Sequence, residues 1–88
     1  MATKEQLLKV LKDILVSDGH VNANDDLNMK TDLIRNLGLS EIEFSVILCR
    51  FYENYKDAMP EDELYSYSEK HSRVEQIVDW MYRWTGKK

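Results

Sequence analysis

Cysteine, proline and glycine are scarce in this chain, which has one, one and three of them among 88 residues. A single cysteine, Cys49, excludes an internal disulfide framework, so the fold must stand on its core, and a reducing compartment is expected. Uncharged apolar runs are short: none approaches the ~20 residues needed to cross a bilayer. Lys4, Glu5, Lys9, Lys12 and Asp13 interrupt the N-terminal segment too finely for the apolar core of a signal peptide. Basic residues are also in deficit. A net charge of −4 argues against nucleic acid, whose phosphates need a basic face, and points towards basic protein partners. No segment alternates polar and apolar residues for long enough to make a strand. His20 and His71 stand isolated in polar segments, which gives no metal-ligand spacing. Asp25, Asp26, Asn28 and Asp32 hint at a calcium loop, but Lys30 and Thr31 fall where that loop needs an oxygen ligand and a glycine. No nucleophile, base and orienting group are spaced as an enzyme would need them, so no catalytic residue is assigned.

Apolar residues make up 43% of the chain, enough for a small helical core and too many for a disordered one. The expectation is one soluble, cytoplasmic, monomeric domain over residues 1–88, near the lower size limit for a self-sufficient core. Thr3 and Gln6 form a capping box ahead of Leu7, Leu8, Leu11, Ile14 and Leu15, which recur at helical spacing. Asp18-Gly19 ends this first helix. Residues 17–39 form a long connection in which Leu33, Ile34, Leu37 and Leu39 are expected to be pinned to the core. Ser40 and Glu43 form a second capping box, followed by a buried stripe of Phe44, Ile47, Leu48, Phe51 and Tyr55, and Pro60 is expected to stop that helix. A short helical turn is expected around Asp62 to Tyr67. Ser72 and Glu75 then read as a third capping box for a last helix with Val74, Ile77, Val78, Met81 and Trp84 on its core face, and Lys87 and Lys88 suit the negative end of its dipole. Trp80, Tyr82 and Trp84 cannot all face one core, so at least one is expected at the surface. The predicted fold is all-α, a small bundle of three main helices plus a short one.

Asn36-Leu37-Gly38-Leu39-Ser40-Glu41-Ile42 resembles the attachment site of the acyl carrier protein family, usually written Leu-Gly-Leu-Asp-Ser-Leu. The likeness runs over nearly the whole chain and is strongest from Asp32 to Glu63, where Met59-Pro60-Glu61-Asp62-Glu63 resembles the family's Ile-Pro-Asp-Glu-Glu. In that register Ile42 falls on the Leu after the serine, and Ile47, Leu48, Phe51 and Tyr55 fall on core positions. The chain departs from the pattern twice. Glu41 stands in the serine column, and roughly four extra residues occur around Tyr65 to Ser68, in the segment that shapes the acyl pocket in relatives.

The resemblance implies an acyl-carrier-like bundle that shuttles thioester-bound acyl groups on a 4′-phosphopantetheine arm, as in fatty acid or polyketide biosynthesis. Its implied partners are a phosphopantetheinyl transferase and acyl-handling enzymes. The reaction needs a hydroxyl at the start of this helix, where free backbone N–H groups and the helix dipole favour phosphate. Glu41 cannot serve. Ser40, one residue earlier, is either a variant attachment site or a cap alone, since it stands in the family's Asp column and has Glu43 as its capping partner. Ser45 lies a turn further in and is the weaker candidate. The resemblance also makes Ile42 and Cys49 apolar contacts for partner enzymes, with Glu41, Glu43, Glu53 and Asp57 supplying an acidic surround for basic patches. The alternatives are that Ile42, Val46 and Cys49 line a cleft against the last helix and that the acids are only a solvated face. Cys49 by itself reads as a small buried or half-buried apolar residue. A carrier-fold protein without the arm, binding partners through the second helix, is the competing function.

Overall fold

The computed structural model describes residues 3–57, 62 and 71–85. It contains α1 (Lys4–Ser17), α2 (Glu41–Glu53) and α3 (Val74–Thr85), with no strand among the described residues beyond one isolated antiparallel bridge, Asp32 to Arg73. The protein is a small all-α bundle in which α1 packs against both α2 and α3. None of these helices is long and apolar enough to cross a membrane. Of the sequence expectations, the turn beyond Asp62, Pro60 with its flanking residues, the extra residues around Tyr65 to Ser68, and Lys87 with Lys88 lie outside the described residues.

α1 begins as its sequence requires. Thr3 accepts from the Gln6 backbone N–H at 3.1 Å, and the Gln6 side chain accepts from the Thr3 N–H at 2.9 Å. Leu7, Leu11, Ile14 and Leu15 are buried, whereas Leu8 at the edge of the stripe is half-buried. The helix closes in a Schellman motif: His20 N–H donates to Leu15 O and Gly19 N–H to Val16 O. That geometry needs a left-handed residue, and Gly19 supplies it with φ at 80°.

Between α1 and α2 the chain stays fastened to the core. Leu33 and Leu39 are buried, and Ile34 and Leu37 pack half-buried against the same cluster. Residues 33–37 make a single helical turn, closed by the Gly38 N–H donating to Ile34 O at 3.0 Å. Gly38 then takes φ 72°, which reverses the chain so that Leu39 enters the core and Ser40 can begin α2. This is the physical sense of Leu37-Gly38-Leu39: an apolar cover, a left-handed reversal and an anchor.

Three helix boundaries and faces differ from expectation. α2 ends at Glu53, well before Pro60, because Asn54 acts as its stop. The Asn54 side-chain amide donates to Arg50 O at 3.0 Å, and the Asn54 and Tyr55 N–H groups turn back to Phe51 O and Tyr52 O. Tyr55 is consequently half-buried, its ring meeting Phe51 edge-on at 5.5 Å. At the start of α3 there is no Ser72–Glu75 capping box. Arg73 immediately precedes the helix, its N–H donates to Gln76 Oε1 at 3.1 Å, and loop carbonyls take the next donors. Val74 N–H reaches Thr31 O and Glu75 N–H reaches Met29 O, both at 2.8 Å. On the core face of α3 Trp80 is buried with Val74, Ile77, Val78 and Met81, which leaves Trp84 and Tyr82 half-buried at the margins.

Ser72 is free for another task because the loop caps α3. Its hydroxyl donates to Asp32 Oδ1 at 2.9 Å, the same oxygen that accepts from the Ile34 and Arg35 N–H groups at 2.9 Å each. Leu33 N–H donates to Ser72 O at 2.9 Å alongside. Partial burial pushes the Asp32 carboxyl up, but the hydrogen bonds from Arg35, Ser72 and Ile34 and the nearby Arg35 charge outweigh it, holding the group below its ordinary value.

A carboxylate with a depressed folded-state pKa contributes stability that is present above its unfolded value near ~4 and is lost as pH falls through the folded value. Urea midpoints measured from pH 6 downward are therefore expected to drop below about pH 4, and Asp32→Asn is expected to flatten that drop. An unchanged slope in the variant would remove Asp32 as its source.

Candidate functional site

The site starts where Leu39 enters the core. Leu39 and Phe44 occupy the two positions of a hydrophobic staple and are both buried, which fixes the angle at which the chain enters α2. Ser40 between them is extended, with φ −73° and ψ 167°, and exposed. The Glu43 N–H donates to Ser40 Oγ at 3.2 Å, and the Ser40 N–H donates to Glu43 Oε1 at 3.0 Å, so the expected capping box is complete. The Ser40 hydroxyl is thus both at the surface and engaged as a cap. An attachment site needs the first and a cap the second, and the geometry combines them.

Glu43 titrates below its ordinary value, chiefly because the Ser40 N–H donates to it, with the Ser40 hydroxyl and then the more distant His20 assisting against slight desolvation. His20 Nδ1 lies 3.9 Å from Glu43 Oε2. The capping box takes the Glu43 N–H and the helix takes that of Phe44, which donates to Ser40 O at 2.9 Å. The N–H groups of Glu41 and Ile42 are left without a partner inside the helix, as first-turn donors always are.

The rest of α2 divides by angle. At about 100° per residue, Phe44, Ile47, Leu48 and Phe51 point one way, and Ile42, Val46, Cys49 and Glu53 cluster almost opposite them. Ile42 is 78% exposed and Val46 48% exposed, and Cys49 is an exposed free thiol. Ile42, Val46 and Cys49 therefore do not line a cleft against the last helix, and Cys49 is neither buried nor half-buried: their angular position faces them away from the core. Together with Glu41, Ser45 and Arg50 they border a shallow depression of about 470 Å³. Glu41 stands at its upper edge, and Glu53 continues the face one turn below Cys49. Its cation, Arg50, is ion-paired with Asp18 at the end of α1.

A second groove, of about 520 Å³, opens on the other side of Glu41. It lies between the turn after Asp32 and the starts of α2 and α3, and is lined by Asp32, Ile34, Arg35, Glu41, Ser72, Arg73 and Gln76. Sequence reasoning did not bring these residues together. The one local signal was Asp32 two residues ahead of Ile34, an Asx-turn spacing; its partner Ser72 lies 40 positions away. Three of the four side chains that suggested a calcium loop are engaged in turns: Asp25 accepts from Asn22 N–H, Asn28 from Lys30 N–H, and Asp32 from Ile34 and Arg35 N–H. Among the described residues no three His, Cys, Asp or Glu side chains gather as a metal site would need.

No protein-family model, curated protein or solved structure matches this chain.

The two faces of α2 make opposite mutational predictions. Ile42→Ser is expected to leave stability within about 0.5 kcal/mol, as for an isolated surface position. Ile47→Ala, five residues on and fully buried, is expected to cost roughly 2–5 kcal/mol. Chemical denaturation of both variants checks the assignment, which a loss of more than 1.5 kcal/mol for Ile42→Ser would reverse (about three times the surface range).

Proposed function

We propose that the protein is an acyl-carrier-type shuttle, with Ser40 as the attachment point of a 4′-phosphopantetheine arm and α2 as the helix that its partners read. The single observation that carries this reading is an exposed serine hydroxyl at the first turn of α2, immediately beside an exposed apolar stripe bordered by carboxylates. The residues fit such a group in part. The N–H groups of Glu41 and Ile42 and the positive end of the helix dipole favour a phosphodiester on Ser40. The exposed carboxylates of Glu41 and Glu43 oppose it by like-charge repulsion, weakened by solvent screening.

The arm, when attached, supplies a thiol for thioester formation. Attachment makes a bond from Ser40 Oγ to the phosphorus of coenzyme A that bears pantetheine. The phosphoanhydride bond breaks, adenosine bisphosphate leaves, and the transferase accepts the hydroxyl proton. Ser40 holds this position because Leu39 anchors the residue before it and Glu43 the one three places on. Ile42 and Cys49, with Val46 between them on the face, offer apolar contact to the transferase and to acyl-handling enzymes. Glu41, Glu43 and Glu53 attract their basic residues, which favours encounter and specificity more than affinity. The protein transports and presents; the chemistry belongs to its partners.

A second reading is favoured by the capping geometry. In it Ser40 is a cap only, Glu41 replaces the reactive serine, and α2 binds a basic partner without any arm. Both readings use the same face of α2. They separate at Ser40, since Ser40→Ala removes a cap worth about 1 kcal/mol in either case but abolishes function only in the first.

Incubation with coenzyme A and a broad-specificity phosphopantetheinyl transferase, followed by intact mass measurement, tests the choice. The carrier reading expects a gain of one phosphopantetheine, mapped to Ser40 by fragmentation and absent from Ser40→Ala. No gain, with that enzyme or with transferases from the source organism, would leave the arm-free binding module.

A further inference from the structure

The groove between the 33–37 turn and the starts of α2 and α3 remains unused by either reading. Its wall begins at Glu41, the residue after Ser40, so an arm attached to Ser40 starts at its edge. Its volume of about 520 Å³ falls within the range of small-molecule sites, ~300–1,000 Å³. Two cationic side chains, Arg35 and Arg73, face two anionic ones, Asp32 and Glu41, so the lining carries no net charge. Two of the four are committed: Asp32 Oδ1 accepts three hydrogen bonds, and Arg73 is ion-paired with Glu75 at 3.2 Å. Exposed Arg35, whose charge also acts on Asp32, and exposed Glu41 can meet a ligand over a half-buried Ile34. A donor, an acceptor and an apolar patch in a neutral groove suit a linear amide chain with branched methyl groups better than a compact anion, which Glu41 would repel.

Resting on the Ser40 attachment proposed above, we infer that this polar groove cradles the pantetheine portion of the arm. Arg35 donates to an amide carbonyl, Glu41 accepts an amide N–H, and Ile34 packs against the geminal methyl groups. Glu41, which displaces the reactive serine by one place, thereby acquires a function as the groove's wall. The apolar face across Glu41 stays open for partners while the arm is parked. This assigns Arg35, Glu41 and Ile34 as arm-positioning residues.

Nuclear magnetic resonance on isotope-labelled protein, with and without the arm, tests the placement. The expected result is a set of shift changes at Arg35, Arg73 and Gln76 on loading, with Overhauser contacts between the arm's methyl groups and Ile34. Arg35→Ala, an exposed substitution that keeps the fold, is expected to abolish those contacts. Shift changes confined to residues 39–43, or methyl contacts to Ile42, Val46 or Cys49 instead, would overturn the inference. If no transferase loads Ser40, the attachment reading fails and the groove is tested separately. A Ser40→Cys, Cys49→Ser protein alkylated with a haloacetyl pantetheine analogue then carries an equivalent chain from the same position. Contacts from that chain to Ile34 support the groove; their absence refutes it.

Discussion

One carboxylate oxygen holds the long connection to the bundle. Asp32 Oδ1 gathers the Ile34 and Arg35 N–H groups from its own turn and the Ser72 hydroxyl from a segment forty residues away. Around it the backbones exchange further bonds. Leu33 donates to Ser72 O, and Val74 and Glu75 donate to Thr31 O and Met29 O. A loop of this length cannot order itself by local propensity, since each fixed residue costs roughly 1–2 kcal/mol of backbone entropy. Here the loop carbonyls satisfy the orphan donors of α3, so the two segments that lack partners of their own supply each other's. Buried Leu33 and Leu39 then hold the turn down on the core.

That junction determines where α2 begins. From Asp32 the chain makes one turn, reverses at Gly38, anchors at Leu39 and starts a helix capped by exposed Ser40. Beyond that point the helix presents two unlike sides. Phe44, Ile47, Leu48 and Phe51 close the core, while Ile42, Val46, Cys49 and Glu53 look outward. Glu41 sits where the outward face meets the polar groove over the Asp32 turn. Its side chain therefore forms the ridge between the two depressions.

Much of this was legible in the sequence, and the failures have a common cause. Local rules succeeded: the Thr3–Gln6 and Ser40–Glu43 capping boxes, the Gly19 stop and the core stripes of α1 and α2 all depend on residues within one or two turns. Leu33 and Leu39 were recognisable as pinned because apolar residues in a polar loop need a reason. The start of α3 was misread because its donors are capped by Thr31 and Met29, which no local pattern connects to Ser72. Pro60 seemed the natural stop for α2 because proline's effect is absolute, but the softer Asn54 acts first through its side chain. Cys49 read by residue type as buried or half-buried, whereas its angular position around α2 sets it opposite the core and exposed. The motif singled out Ser40, and the capping geometry explains why that residue is at once exposed and structurally employed.

The Asp32–Ser72 contact joins the connection to α3 and so fixes the helix start that bears Ser40. A double-mutant cycle on Asp32→Ala and Ser72→Ala, read by urea unfolding at neutral pH, measures that contact directly. A charge-assisted hydrogen bond in a partly buried setting predicts a coupling of about 1.5–3 kcal/mol, with the double variant little worse than Asp32→Ala alone. Additive losses, with coupling below about 0.5 kcal/mol, would mean that the two groups are neighbours without being partners, and would contradict the account.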